Sequence, residues 1–502
     1  MSQEKGRSYF VPQEIRGELF DLSHEKKDPV VLAAAMRQLR SYVQKYRDDF
    51  LGYQSTARLD TAHLADFVQS AINNIGDSFA NPKLTTPGAT SQLADGFFSL
   101  NSKWVERAVL DYFARLWNAP SPRKVYEDRD EGWEDSYWGY VLSMGSTEGN
   151  LMALRSARDY LRGRKLEYDE RIPTMAERLG YVECEEPENP EFKPVLLFSE
   201  ASHYSVKKLA YMLDLEYQFV KVNPDGSMNL DHLVDLAVMA MRIERRPPAI
   251  LFNYGTTWTG ALDDVAEGVR RLKEPLERYG FDWRTIKHGD KDCRRRGFWI
   301  HVDGALGAGY ASVVQRDGDF ELPGFDFSHD IQSLAMSGHK WPGAPWPTGI
   351  YMTRNRYMLT NDVPNYVGAL DSTLAGSRNG AAAIFLWDWV ARNSLEERAG
   401  VVKGQLDLAR RTLKVIQQVW DPDAWRAPGS VMIIMKRPKD ETVRRYALAC
   451  NNVNNVDLCH LVFMPHVGEG VVGRLLRDLR AEKEAGDTLA AAAFSDDGRG
   501  GW

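Results

Sequence analysis

The stretch "GFWIHVDGALGAGY", residues 297–310, places an aspartate directly after a run of aromatic and β-branched residues, and small residues follow it. Such a run predicts a buried strand. Similar short apolar runs lie on either side of it in the chain, namely "YVLSM" (140–144), "PVLLFS" (194–199), "AILFNYG" (249–255), "SLAMS" (333–337) and "GIYMT" (349–353). Because they alternate with amphipathic helical patterns from about residue 100 to 365, they indicate an α/β fold with a mostly parallel sheet covered on both faces.

The rest of the chain divides around this sheet. We predict an N-terminal helical arm over 1–95, a large domain over 96–395, a small C-terminal α+β domain over 396–485 and a flexible tail over 486–502. The arm is helical in pattern but interrupted by turn-rich sequence, and the tail lacks helical or strand periodicity. The charged stretch "KHGDKDCRRRG", residues 287–297, is predicted to be a solvated loop.

Composition argues against several classes of protein. The 502 residues include 63 basic and 70 acidic side chains, a net charge of −7, without the basic stripe that nucleic-acid binding requires. The first residues lack a secretory signal and no apolar run is long enough to span a bilayer, so we expect a cytoplasmic protein with no membrane partner. Four cysteines without a C-x-x-C pair are expected to be free thiols rather than metal ligands: Cys184, Cys293, Cys450 and Cys459.

An anion site is predicted where the first strand runs into a helix. In "SMGSTEGNLMALRSARDYLRGR", from residue 143, Gly145, Ser146 and Thr147 precede apolar residues spaced on one helical face. Hydroxyl groups and free backbone N–H groups then meet at a helix N-terminus, which favours an anion. The alternative is that Ser146 or Thr147 simply caps the helix.

Three further residues follow predicted strands, where ligands bind in open α/β sheets. Asp303 follows "FWIHV", and a buried carboxylate needs a partner, either a protein group or a cationic ligand. Lys340, in "SGHKWPGAPWPTG", follows "SLAMSG" beside Trp341, and desolvation there would provide a neutral amine for Schiff-base chemistry, the alternative being a surface lysine. His203 follows a strand end in the same way, and the alternative to a role in the site is a structural one, in which the imidazole satisfies local hydrogen bonds.

Together these residues match the parts of pyridoxal phosphate. The anion site would take the phosphate, Asp303 would pair with the pyridinium nitrogen, and Lys340 would condense with the aldehyde. An anion site, an acid and an amine at one edge of one sheet therefore predict this cofactor.

Motifs along the chain resemble, in order, those of the group II pyridoxal-phosphate-dependent amino-acid decarboxylases, in the branch that contains histidine, serine and valine decarboxylases. The resemblance covers about residues 50–480 and rests on "GSTEGN", "SEASHYSVKK", "GTTWTGALDD", "HVDGALGA", "SGHKW" and "TLAGSRNG". It implies a fold-type I (aspartate aminotransferase-like) large domain and an obligate homodimer with shared active sites. The loop 376–380 would border the site, from either subunit.

The resemblance also implies roles for individual residues. Lys340 would be the Schiff-base lysine, Asp303 the pyridinium partner, and Ala305 and His203 the residues against the two ring faces. A tyrosine on a loop, Tyr366, would protonate Cα, with His203 as the next candidate. The remaining cofactor contacts would come from Gly145, Ser146, Thr147, Ser337 and His339 at the phosphate and from Thr256 and Thr257 near the ring.

Departures from the family pattern suggest an apolar substrate. Phe97 and Asn101 replace an asparagine and a histidine of the relatives, and Ala381 replaces the histidine of their "SRNGH". A pocket with fewer hydrogen-bonding groups cannot select a polar side chain strongly. We therefore expect decarboxylation of a branched aliphatic L-amino acid, valine or leucine, to the primary amine and CO2. Histidine, serine or an aromatic amino acid, another fold-type I reaction (lyase, transaminase or oxidative deaminase), and a non-catalytic scaffold remain as alternatives.

Overall fold

The computed structural model describes residues 102–120, 134–164, 193–288, 291–317, 321–359, 372–453 and 455–496, with a few isolated positions between 30 and 51. Almost all of the predicted N-terminal arm lies outside the described residues. The strands before residue 360 are β1 (Tyr137–Leu142), β2 (Val195–Ser199), β3 (Glu216–Val220), β4 (Pro248–Asn253), β5 (Arg284–His288), β6 (Lys291–Arg295), β7 (Trp299–Asp303), β8 (Ser333–Ser337) and β9 (Gly349–Arg354).

Seven of these strands form one sheet in the order β1-β9-β8-β7-β4-β2-β3. Only β9 runs antiparallel to its neighbours β8 and β1, and the described pairs from β8 to β3 are all parallel. In the register of the central strands, Asp303 lies opposite Asn253 on one side and Ala335 on the other. The carboxyl ends of six strands therefore meet at one edge, and five of these strands were predicted from the sequence.

Helices cover both faces of this sheet. Within the described residues, the helices up to residue 392 are α1 (Lys103–Leu116), α2 (Ser146–Arg162), α3 (Tyr204–Met212), α4 (Leu230–Met239), α5 (Val265–Tyr279), α6 (Gly307–Asp317) and α7 (Gly380–Arg392). A Cβ added at Gly149 of α2 would lie 2.7 Å from the Ala335 side chain, and one at Gly309 of α6 would lie 3.5 Å from Met336. Because consecutive strand residues point to opposite faces, α2 and α6 lie on opposite sides of β8.

The central strands are buried along their whole length. Every residue of β2, β4, β7 and β8 is buried. Such continuously apolar strands are typical of a parallel sheet with helices on both faces. The fold class predicted from the sequence is confirmed.

Two strand predictions need correction. Strand β3 was not predicted, because its sequence "EYQFV" carries polar residues that an edge strand keeps partly exposed. The stretch 287–297, predicted to be a solvated loop, instead contributes to a hairpin of β5 and β6. Its Arg295 is 1% exposed and lies 5.5 Å from the Tyr160 ring centroid, and its Cys293 is buried. These buried contacts were not predicted, because a stretch with so many charged residues is typical of an exposed loop.

The C-terminal part of the chain contains helix α8 (Leu395–Val419), strand β10 (Met432–Lys436), helix α9 (Asp440–Tyr446), strands β11 (Ala449–Val453) and β12 (Val456–Val462), and helix α10 (Glu469–Asp496). The three strands form a sheet in the order β10-β12-β11. The predicted lack of helical structure from residue 486 is wrong as far as Asp496, because α10 continues to that residue, whereas the flexibility of the tail stays a prediction. The alanine-rich end of α10 needs no apolar periodicity to be helical, since alanine has the highest helix propensity.

The chain divides into two units. One comprises Ala57–Asp407 with Arg426–Ile433, and it contains the seven-stranded sheet. The other comprises Met1–Thr56, Leu408–Trp425 and Ile434–Trp502. The domain boundaries drawn from the sequence at 395/396 and 485/486 stay predictions. Among the described helices, none combines the length and the apolar character needed to cross a membrane.

Candidate active site

The turn from β1 into α2 presents an open helix N-terminus. Gly145 precedes the helix with φ 68°, a backbone conformation that favours glycine, and as the N-cap residue it has no side chain to cap the helix. The Ser146 backbone N–H donates to Ser337 Oγ at 3.1 Å, and the two hydroxyl groups lie 3.0 Å apart. Thr147 is exposed. Capping by Ser146 or Thr147, the alternative for this motif, is therefore not what the structure shows.

His339 closes one side of this turn. A Cβ added at Gly145 would lie 2.6 Å from His339 Cε1, so only glycine leaves room for the imidazole ring. His339 Nδ1 lies 3.1 Å from the Thr348 carbonyl oxygen and 3.3 Å from the Thr348 backbone nitrogen. Burial, reinforced by the charge of Lys340, lowers the pKa of His339. The site therefore combines a helix N-terminus with serine hydroxyls and a neutral imidazole, groups that can hold a phosphate.

Asp303 ends β7 close to the same edge. It is 6% exposed, and its Oδ1 accepts a hydrogen bond from the Ala305 N–H at 3.1 Å while its Oδ2 accepts one from Asn150 Nδ2 at 2.7 Å. The Ser337 N–H donates to the Ala305 carbonyl oxygen at 3.2 Å. Ala305 thus connects the acid to the strand that leads to Lys340.

Lys340 lies in a turn that is closed by backbone hydrogen bonds between its two sides. The Gly338 N–H donates to the Thr348 carbonyl at 2.7 Å, and the Ala344 N–H donates to the Gly338 carbonyl at 3.0 Å. The neighbouring Trp341 is 3% exposed, with its ring centroid 5.1 Å from that of Tyr310. Trp341 therefore anchors the turn in the core.

Burial lowers the pKa of Lys340, and the nearby Asp303 carboxylate raises it in part. A lower pKa increases the fraction of neutral amine, which is the nucleophilic form. His203 lies within electrostatic reach of the same two groups, since burial and Lys340 lower the pKa of His203 while Asp303 raises it. The structure thus brings the predicted lysine, acid and histidine together.

His203 has a defined orientation. It precedes α3 as the N-cap residue, and its Nδ1 accepts from the Ser205 N–H at 3.3 Å and lies 2.7 Å from Ser205 Oγ. Because Nδ1 is the acceptor, the proton of the neutral ring is on Nε2. The predicted structural role and a role in the site are therefore compatible for this residue.

The two threonines predicted near the ring differ in their surroundings. Thr256 is buried, its Oγ1 lies 2.8 Å from Thr259 Oγ1, and it accepts from the Ala261 N–H at 3.0 Å. Its hydroxyl is thus used inside its own turn, whereas Thr257 is only partly buried. The turn is joined to the acid through the Tyr254 N–H, which donates to the Asp303 carbonyl at 2.8 Å.

Loop 376–380 lies at the end of β1 of its own chain. The Asn379 N–H donates to Ser143 Oγ at 3.1 Å, two residues before Gly145. Arg378 forms a buried ion pair with Glu106 of α1. The candidates Tyr366, Phe97 and Asn101 lie outside the described residues.

Sequence reasoning did not single out Asn150, His301 or Ser333, whose buried side chains continue from Asp303 into the sheet. The signal was present, because His301 precedes Asp303 by two residues on one strand and so shares its face. Glu148 was missed as well: it is buried, and its Oε2 accepts from the Ser143 and Met144 N–H groups at 2.8 and 2.9 Å, which shapes the turn before α2.

Comparison with known proteins agrees with this geometry. A family model described as "Pyridoxal-dependent decarboxylase conserved domain" matches residues 101–379. Histidine decarboxylase of Vibrio campbellii is 27% identical over 454 residues, covering 89% of this chain and 95% of that protein. Serine decarboxylase 3 of Oryza sativa subsp. japonica is 30% identical over 439 residues, covering 86% and 78%. A solved structure of L-methionine decarboxylase from Streptomyces sp. 590 aligns with TM-score 0.79 and 32% identity, covering 92% and 96%.

Proposed function

The chain belongs to the pyridoxal-dependent decarboxylases, and we propose that its substrate is an L-amino acid with an apolar aliphatic side chain. It has the fold-type I architecture and is a carboxy-lyase that uses pyridoxal phosphate to convert an amino acid to its amine and CO2. The finer assignments, namely the substrate, the role of each site residue and the dimer, are proposals.

The residues at the sheet edge fit this cofactor. The uncapped N-terminus of α2 with Ser146, Ser337 and His339 would hold the phosphate, as supported by their mutual contacts. Lys340 would hold the aldehyde carbon, since its lowered pKa favours a nucleophilic amine. Asp303, buried and accepting two N–H groups, would receive the ring N–H.

When bound, pyridoxal phosphate supplies a conjugated ring that accepts the electron pair released as CO2 leaves. The protein's part is to orient the reacting groups and to handle protons. His203, with its proton on Nε2, would pack against one ring face while Ala305 leaves room at the other. Tyr366, with His203 as the second candidate, would donate the proton to Cα.

Ala381 is the observation that carries the substrate proposal. It is the second residue of α7, it is 9% exposed, and Gly380–Leu386 are all buried and uncharged. Its N–H donates to Asn379 Oδ1 at 3.1 Å, and Asn379 is itself bonded to Ser143 near the anion site. A methyl group therefore occupies the start of this helix where the resembling enzymes carry a histidine, so a polar substrate side chain loses a partner there.

Valine and leucine are the first candidates, and methionine is the second. The second candidate is favoured by the 32% identity to the methionine decarboxylase, whose named substrate is also apolar. One methylene changes kcat/KM by about 10–200-fold in a hydrophobic pocket, so valine and leucine, which differ by one methylene, should differ by no more than this.

The substrate test is a panel of L-amino acids, with CO2 and amine quantified together. Valine, leucine and methionine should give equal amounts of CO2 and amine, at kcat/KM values at least about tenfold above those of histidine, serine and phenylalanine. A preference for histidine or serine would overturn the substrate proposal. Formation of keto acid or aldehyde without amine would contradict amine-forming decarboxylation in this chain.

The role of Lys340 is tested by borohydride reduction of the holoenzyme followed by peptide mapping. The cofactor should be fixed on Lys340, and the Lys340→Arg variant should show no covalent label. Label on another lysine would overturn this assignment without affecting the substrate proposal.

The role of Asp303 is tested by Asp303→Ala. Because the carboxylate would hold the proton on the ring nitrogen, this variant should keep its circular dichroism spectrum and lose nearly all turnover. Near-normal turnover would refute the role.

A homodimer is proposed on the resemblance and on exposed apolar side chains. Trp387 of α7 and Leu395 and Val401 of α8 are each at least 39% exposed. Burial of such side chains favours association. Light scattering on the eluting holoenzyme should give twice the mass of the 56.9 kDa chain, and a monomeric mass at micromolar concentration would contradict the dimer.

A further inference from the structure

A line of buried polar groups ends at Asp303. Trp299 Nε1 donates to Ser333 Oγ at 3.1 Å, and Ser333 Oγ lies 2.9 Å from His301 Nδ1. His301 Nε2 lies 3.0 Å from Asn150 Oδ1, and Asn150 Nδ2 donates to Asp303 Oδ2 at 2.7 Å. None of these five side chains belongs to a residue more than 6% exposed.

The chemistry of the groups gives every bond in this line the same direction. A carboxylate can only accept, so the Asn150 amide must present its NH2 to Asp303 and its oxygen to His301. His301 Nε2 must therefore carry a proton, and its Nδ1 is left to accept from the Ser333 hydroxyl. The Trp299 indole N–H can only donate, which fixes Ser333 Oγ as its acceptor.

The charge state of His301 agrees with this direction. Burial lowers the pKa of His301 to about 4, although the charge of Asp303 and a hydrogen bond to the Ser333 backbone oppose the shift. At neutral pH the ring is thus uncharged and carries a single N–H. Among the described residues, Lys340 and His203 also interact electrostatically with Asp303.

The strand geometry explains how the line is assembled. Trp299, His301 and Asp303 alternate along β7 and so point to one face. Ser333 lies opposite His301 in the register with β8, and Asn150 comes from α2, which packs against both strands. Buried polar groups cost free energy unless they are bonded, so a face that needed only packing would favour apolar residues.

We propose that Asn150, His301 and Ser333 are positioning residues that orient Asp303 and hold it as a carboxylate, so that it keeps the ring nitrogen of bound pyridoxal phosphate protonated. The proposal rests on the proposed role of Asp303 as the partner of that nitrogen. Each aligned donor stabilises the next acceptor, and the last bond goes to the charged oxygen, where hydrogen bonds are strongest.

The first test measures the tautomer of His301 and needs no change of the wild-type protein. Holoenzyme and apoprotein are labelled with ¹⁵N-histidine, and His301→Phe identifies the His301 signals among the ten histidines. The ring should show one protonated nitrogen, Nε2, and one bare nitrogen, Nδ1, at pH 7. A proton on Nδ1, or on both nitrogens, would overturn the proposal.

The second test compares variants with a matched control. Asn150→Ala should lower kcat by about 10–100-fold, the effect of losing one hydrogen bond to a charged group, with little change in KM. His301→Phe and Ser333→Ala, which act on Asp303 through Asn150, should lower kcat by a smaller factor. They should also shift the pH dependence of the holoenzyme's absorption spectrum, whereas His301→Gln, which can both donate and accept, should restore part of the kcat.

The control is Ser312→Ala. Ser312 is also a buried serine that accepts an indole N–H, from Trp117 at 3.0 Å, but it is not bonded to the line that leads to Asp303. Its variant should leave the spectrum and its pH dependence unchanged. If Ser333→Ala and Asn150→Ala behave like Ser312→Ala, the positioning proposal fails.

Asp303→Asn, measured in parallel, separates the two proposals. If it keeps normal turnover and spectrum, the proposed role of Asp303 fails and the positioning proposal fails with it. If it loses turnover while the three positioning variants match the control, only the positioning proposal is overturned.

Discussion

Arg378→Met removes the cation from an ion pair whose side chains, Arg378 and Glu106, are 1% and 0% exposed. Glu106 also accepts the Val141 N–H at 2.8 Å, so its carboxylate stays buried in the variant. Removing one partner of a buried ion pair costs about 3–5 kcal/mol of unfolding free energy. Loss of the guanidinium 5.4 Å from the Tyr140 ring centroid adds up to about 2 kcal/mol.

Urea unfolding followed by circular dichroism measures this loss, with Arg392→Met as the control. Arg392 pairs with Asp388 at 2.8 Å on the same helix, α7, but the arginine side chain is 46% exposed, so its loss should cost no more than about 1 kcal/mol. The double variant Glu106→Gln/Arg378→Met should recover most of the lost stability, because glutamine still accepts the Val141 N–H and both charges of the pair are removed together. If Arg378→Met is as stable as the control, the reasoning is refuted.

Three other outcomes are expected. Acid should destabilise the protein through His301, because the pKa of its side chain is about 4 in the folded state and about 6.5 in the unfolded chain. As pH falls, the unfolded chain therefore binds the proton first, and the free energy of unfolding should decrease by about 3 kcal/mol between pH 6.5 and pH 4. In His301→Gln the urea midpoint should fall less over this range, and an equal fall would contradict the assignment. Gly145→Ala should weaken pyridoxal phosphate binding at least about tenfold, since the methyl group would meet His339 at 2.6 Å on a backbone with φ 68°; unchanged affinity in an absorbance titration would argue against the anion site. Iodoacetamide at pH 7 should label Cys450 well before Cys459, because the interaction between these two thiols, which face each other across β11 and β12, lowers the pKa of the exposed Cys450 and raises that of the buried Cys459; equal labelling rates by mass spectrometry would count against this difference.

The sheet could be predicted from the sequence because its central strands are buried on both faces. Apolar runs such as "PVLLFS" and "FWIHV" have no polar alternation, and they lie within one or two residues of β2 and β7. Elements at the edge of the sheet and at the surface were harder to predict from the sequence. Strand β3 mixes exposed glutamate with partly buried tyrosine, and the β5–β6 hairpin buries Arg295 among charged neighbours. Periodicity reports burial, so elements that are half exposed or whose charges are satisfied inside leave a weak signal.

The candidate site could be predicted as a set of residues but not as a network. Asp303, Lys340 and the 145–147 turn each follow a strand, and parallel pairing places strand ends together. Sequence alone does not show which nitrogen of an imidazole carries a proton, nor which amide atom faces a carboxylate. Those assignments depend on atoms that approach within 3 Å from β7, β8 and α2, segments that lie far apart in the chain.

The antiparallel strand β9 explains why the Lys340 turn has its particular form. The chain must reverse between β8 and β9, because Gly349 pairs back onto Ser337. A Cβ at Gly338 would lie 2.9 Å from Leu386 and from Thr348, so the reversal leaves no space for a larger residue there. The lysine follows directly, while Trp341 is fixed in the core. The backbone on either side of Lys340 is therefore constrained by pairing and packing, which limits where its amine can lie relative to Asp303.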